Sequence, residues 1–133
     1  MKPSSPRPLG YKDLLAWSKS RDLAIEVFRL TERAPLRQKR ALCDQMQRAA
    51  LSVPSNIAEG EERGGNKEAL RFLYIAKGSL AELRTQADIG HAAEFITKEE
   101  FSRLESSADH IARLLSGLIK NRLLRERAQN PPP

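Results

Sequence analysis

Two heptad stripes constrain this chain more than any other feature. From residue 69, Ala69, Leu73, Ala76, Leu80, Leu83, Ala87 and Gly90 recur at alternating spacings of four and three. Phe101, Leu104, Ala108, Ile111, Leu115 and Leu118 do the same from residue 101. Such spacing keeps apolar groups on one side of an α-helix turn after turn, so each stripe predicts a helix packed along its length. In the first segment Leu14, Trp17, Ala24 and Phe28 make one stripe, and Leu23, Val27 and Leu30 a second beside it. Together they form a face broader than one helix contact uses. Leu42, Met46, Ala49, Ala50, Val53 and Ile57 supply a fourth apolar face. The fold class predicted is all-α, a four-helix bundle.

Local signals divide the helices. Pro35 disfavours helical geometry at Ala34 and closes the first. Glu62-Arg63-Gly64-Gly65-Asn66 reads as a turn, with Asn66 as N-cap of the third helix. Thr97-Lys98-Glu99-Glu100 fits a capping box for the fourth. The predicted spans are roughly 12–33, 39–62, 66–93 and 97–125, with edges good to about 2–4 residues. Short connections make sequential neighbours antiparallel, in up-down-up-down order. Residues 1–10 are expected to be a flexible lead-in, 11–126 the bundle and 127–133 a disordered, proline-rich tail. The broad first face and the small residues on the third helix leave more apolar surface than one bundle covers, so an oligomer is expected.

With 133 residues, 40% of them hydrophobic, the chain can build one core. No apolar run approaches the ~20 residues that cross a bilayer. The start, MKPSSPRPLG, lacks the apolar centre of a secretory signal, and the single Cys43 cannot form an intrachain disulfide. A cytoplasmic protein is expected.

One stretch resists a purely structural reading. RAALSVPSNIAEG, residues 48–60, places Pro54 inside an amphipathic run, where proline removes a donor and crowds the preceding turn at about 3 kcal/mol. Either a helix ends there or polar groups compensate for a bend. Asn56 and Glu59 are expected to be buried and bonded. Their partners would come from Gly78, Ser79 and Glu82, which interrupt FLYIAKGSLAEL at helical spacing, the glycine and serine allowing close helix approach. A ligand pocket is the alternative to this kinked helix with a satisfied polar network.

At these residues the chain resembles the 23S rRNA intervening-sequence protein family. The resemblance runs from about Tyr11 to Leu123 and rests on Arg48, Ala49, Pro54, Asn56, Glu59, Gly60, Phe72, Ala76, Ser79 and Glu82. It implies a homo-oligomeric bacterial four-helix bundle, pentameric in known relatives, with no established enzyme activity. A more distant similarity extends to accessory proteins of diversity-generating retroelements, which bind nucleic acid and a reverse transcriptase.

The residues themselves favour binding over catalysis. Asp88-x-x-His91 occurs once, His110 lies on another helix, and no phosphate loop or nucleophile elbow is present. A di-iron bundle needs two Glu-x-x-His pairs and further carboxylates. No catalytic residue, metal set or cofactor is predicted, and Cys43 is read as a small packed hydrophobe.

Charge points elsewhere. The net charge is +6, and residues 29–48 alone carry a net +4 and residues 113–133 another +4, around an acidic middle. Arg33, Arg37, Lys39, Arg40 and Arg48 form the main candidate nucleic-acid contact; Arg113, Lys120, Arg122, Arg125 and Arg127 form a second cluster. With few aromatics, contact with RNA or DNA would fall on phosphates. Against this, up-down packing places the first cluster near Glu94, Glu99 and Glu100, and the second near Glu59, Glu61, Glu62 and Glu68. A protein-protein scaffold with an unknown partner is the alternative.

Overall fold

A computed structural model describes residues 10–133. Apart from Gly10, the expected lead-in of residues 1–10 lies outside the described residues. Four long helices carry the chain: α1 Leu15–Thr31, α2 Arg40–Arg63, α3 Asn66–Ala92 and α4 Lys98–Gln129. Single 3₁₀ turns at Gly10–Asp13 and Leu36–Gln38 precede α1 and α2. There is no strand among the described residues.

The helices enclose one core. Val27, Met46, Ala76, Ile111 and Leu115 are sealed from solvent completely, and Val53, Ile57, Leu80 and Leu83 almost so. Each large apolar side chain so enclosed contributes about 1.5–3 kcal/mol relative to exposure. On α1 the stripe of Leu23, Val27 and Leu30 is buried throughout, whereas in the other stripe only Ala24 is buried, Leu14 and Trp17 pack half-buried against the core and Phe28 is exposed. On α4 the stripe drifts. Leu104, Ala108, Ile111 and Leu115 are buried as expected, but Ile119 rather than Leu118 continues the buried row. A straight helix turns 3.6 residues per turn, so a strict heptad row walks about 20° per repeat around it.

The junctions show which local signals held. Thr97 caps α4 as expected: its hydroxyl accepts from the Glu100 amide at 3.2 Å, and Glu100 Oε1 accepts from the Thr97 amide at 2.8 Å. Gly64 ends α2 with φ +80°, a conformation that favours glycine. One expectation needs correction: Asn66 is the first residue of α3, not its cap; Gly65 holds that position. The helix edges fall within the margin given for them. The first helix runs Leu15–Thr31, because Leu14 is extended and separates it from the 3₁₀ turn, and the last runs to Gln129.

The end of α3 is closed without glycine at the critical place. Glu94 adopts φ 66°, and the amides of Glu94 and Phe95 donate to His91 and Gly90 carbonyls at 3.0 and 2.8 Å. This is the Schellman pattern, which satisfies carbonyls that a helix end leaves unpaired. The turn folds Ile96 over Gly90 and into the core.

Candidate functional site

The five residues of the main basic cluster do not act alike. Arg33, just beyond α1, pairs with Glu100 in the first turn of α4. Glu100 is itself buried, so this cation is committed to closing the bundle end. Lys39 lies over the ring of Phe95, its Nζ 4.7 Å from the centroid. The α3–α4 turn therefore sits beneath the α1–α2 turn, and the acidic third turn partly neutralises the basic first one. Arg37, Arg40 and Arg48 are exposed and have no carboxylate partner among the described residues.

Arg37 and Arg40 flank the amino end of α2. No side chain caps that end, and its first turn contains no acidic residue. A helix amino terminus carries unpaired amides and a partial positive charge. Two guanidinium groups at such an end make a surface that attracts phosphate. Arg48 lies eight residues into α2 and faces the groove beside Phe28, Asp44 and Leu51.

In the second cluster Arg113 and Arg122 are engaged, whereas Lys120, Arg125 and Arg127 are exposed with no carboxylate partner among the described residues. Arg122 keeps only 13% side-chain exposure and donates to Glu61 at 2.9 Å and to Asn66 Oδ1 at 3.0 Å. Asn66 in turn donates to Gln129 at 3.0 Å. This network ties α2, α3 and α4 together at the far end and explains why Asn66 is buried. Arg113 pairs with Asp109 one turn back, at 2.9 Å.

The proline motif forms a seam between α2 and α3. The α2 helix passes through Pro54 without ending. Asn56 Nδ2 donates to the Ser52 carbonyl and to Ser52 Oγ, both at 2.8 Å, and Ser52 Oγ shares a 2.7 Å bond with Ser79 Oγ across the helices. Asn56 is half-buried and Ser79 buried. Glu59, expected to be buried, is half exposed and bonds Arg63 on its own helix at 2.8 Å. Glu82 is exposed with no bonded partner among the described residues. Gly78 is exposed as well, and an added Cβ there would meet nothing. The close approach is made by Gly60 instead, where a Cβ would lie 3.0 Å from Phe72 Cβ and 3.3 Å from Ala69. Ser52, the hub of the seam, escaped the sequence reading. Its one signal was its position one turn before Asn56.

Neither titratable loner forms a site. His91 stacks on Phe101, with centroids 4.8 Å apart, and its Nδ1 lies 3.3 Å from the Ile96 carbonyl oxygen. Cys43 is buried and donates to the Leu36 carbonyl at 3.0 Å; burial pushes its thiol pKa up. Among the described residues no group of three or more His, Cys, Asp and Glu gathers as a metal would require, and no helix is long and apolar enough to cross a membrane.

The class defined by these features is an all-α protein of four helices on one core, with bonded seams and charged ends. The chain belongs to the family described as 23S rRNA-intervening sequence protein, which matches residues 12–117. Its fold is similar to the crystal structure of a protein of unknown function from the S23 ribosomal protein family of Bacteroides thetaiotaomicron. That likeness has a TM-score of 0.75 at 24% identity and covers 80% of this chain and 99% of the other. No curated protein matches the chain.

Proposed function

We propose that this is a non-enzymatic, cytoplasmic, homo-oligomeric four-helix bundle that contacts RNA phosphates through the amino end of α2. Its helices run up-down-up-down with antiparallel neighbours. In support, Gly60 faces Ala69 while Ser52 faces Ser79, and Arg33 at the end of α1 meets Glu100 at the start of α4. Self-association is favoured by the outer face of α3, where Tyr74, Ile75 and Ile89 are 50%, 41% and 54% exposed. A pentamer is the ring that the family resemblance implies. A ring repeats a modest phosphate contact around its rim and makes it multivalent.

The observation that carries the RNA reading is the pair Arg37 and Arg40, exposed and without carboxylate partners among the described residues, beside an uncapped helix amino end. Phosphate contacts release counterions, so log affinity falls linearly with log salt. Fluorescence anisotropy with a labelled RNA should show that slope. Arg37→Glu with Arg40→Glu should weaken binding and flatten the slope, whereas Lys98→Glu with Arg103→Glu should change it little. Absence of binding at low salt, or equal loss from both pairs, would favour the second reading. That reading is a protein-protein scaffold using the apolar outer face of α3.

A further inference from the structure

The outer face of α3 carries a glycine that nothing inside the chain explains. Gly78 lies mid-helix and exposed, and a Cβ there would meet nothing of the rest of the fold within 4 Å. Glycine weakens a helix relative to alanine. A glycine in open space therefore suits a surface that something outside the chain approaches closely, since the separation of packed helices is set by the side chains between them. Tyr74 and Ile75 stand one turn before Gly78, 50% and 41% exposed. Glu82 stands one turn after it, exposed and with no ion-pair partner among the described residues. Two apolar knobs, a gap and an anion thus follow one another along the face.

The seam between α1 and α2 offers the complementary shape. A groove of about 530 Å³ lined by Trp17, Phe28, Leu51 and Pro54 continues past Phe28 and Leu51 into a second hollow of about 610 Å³ that holds Arg48. Phe28 and Leu51 are 37% and 48% exposed. Arg48, like Glu82, has no ion-pair partner among the described residues. The spacings match. On α2, Pro54 and Arg48 each lie about 4.5 Å along the axis from Leu51, on opposite sides. On α3, Tyr74 and Glu82 each lie about 6 Å from Gly78. With Gly78 over Leu51 and the two helices antiparallel, Tyr74 and Ile75 enter the section beside Trp17 and Pro54, and Glu82 meets Arg48. Asp44, the one carboxylate lining either hollow, then falls opposite Thr85 rather than Glu82. Within one chain α1 and α3 each pack against α2 and α4, so they stand diagonally and the groove and the face do not overlap. Each copy can use both at once.

We propose that the Gly78 face of α3 in one copy seats in the α1–α2 groove of the next, with Glu82 pairing to Arg48. Such a head-to-tail contact joins unlike patches and closes into a ring when its rotation allows. This pairing rests on the homo-oligomer of the proposed function, names the surfaces that build it, and draws nothing from the RNA contact.

Unlike patches permit a test by complementation. Gly78→Gln fills the face and keeps the groove, whereas Leu51→Glu spoils the groove and keeps the face. Both positions are exposed, so helical circular dichroism should be unchanged. By light scattering the parent should assemble and each variant alone should fall to the mass of one chain. An equal mixture should return to about twice that mass and no further, because each pair retains one intact contact. Arg48→Glu and Glu82→Arg should each raise the concentration at half-assembly roughly two- to five-fold, the worth of an exposed ion pair, and together in one chain should restore it. An assembled parent whose variants also assemble, or whose variants stay monomeric when mixed, would overturn the proposal and leave the homo-oligomer standing. A monomeric parent would remove that reading as well. Loss of RNA affinity in Leu51→Glu with assembly intact would overturn the pairing and assign the groove to nucleic acid.

Discussion

The two flanks of α2 solve the same packing problem in opposite ways. Toward α3, Gly60 removes a side chain where Phe72 and Ala69 come closest, and Ser52 and Ser79 bond across the gap. Arg63 completes that flank by lying 5.2 Å over the Phe72 ring. Toward α1, Trp17, Phe28 and Leu51 stand along the seam and leave a groove. Small residues let helices close until backbone meets side chain, and the polar groups trapped between them must then bond each other. Large side chains at a seam edge hold it open and leave their own surface for another segment to cover. The first arrangement supplies stability, and the second leaves apolar surface such as Phe28 and Leu51 exposed.

The comparison breaks most severely at Gly60. Gly60→Leu forces a side chain into space already filled by Phe72 Cβ and the Ala69 backbone, and should cost about 3 kcal/mol, read as a lower urea midpoint. Stability equal to the parent would mean that the α2–α3 seam is no tighter than the α1–α2 seam.

A smaller effect is expected at Asn56. Asn56→Leu removes two bonds to Ser52, but the Ser52–Ser79 bond survives and the site is only half-buried. The loss should be about 1 kcal/mol, measured the same way. Glu59→Leu should cost less still, since its one bonded partner among the described residues is Arg63 on the surface; the reverse order would restore Glu59 to the network.

The smallest effect sharpens the α1–α2 flank, whose loop end is fastened by Cys43 donating to Leu36. Burial raises the thiol pKa in the folded chain above its value of 9.0 when unperturbed. The folded state then holds the proton more tightly than the unfolded one. This contribution is complete below the unfolded pKa and is lost as pH rises through the folded one. Melting temperature should therefore decline more steeply above pH 9 in the parent than in Cys43→Ala. Parallel curves would show that the thiol is not held.

Much of the architecture was legible locally. The Thr97 capping box, the Gly64 stop and the inward rows of α2, α3 and α4 depend on residues within one or two turns of each other. Membership of the 23S rRNA-intervening sequence family was likewise carried by side chains readable in order. The errors have a common origin. Glu59 and Gly78 share helical spacing with Asn56 and Ser79, and spacing alone cannot say which residue turns toward the neighbour. Arg33 and Arg122 look like the other cations until Glu100 and Glu61 arrive from helices distant in sequence.

By itself the sequence determined four amphipathic helices, their junctions and a positive excess at two places, because periodicity, capping and charge are properties of short segments. Only the tertiary structure decided which polar groups were used up inside the fold and which stayed outside it. The rotation and closeness of each helix pair are set by side chains from both partners at once, as at Gly60 against Phe72. Those contacts bind Arg33 and Arg122 into the bundle, leave Arg37 and Arg40 facing solvent, and keep the groove beside Trp17 open.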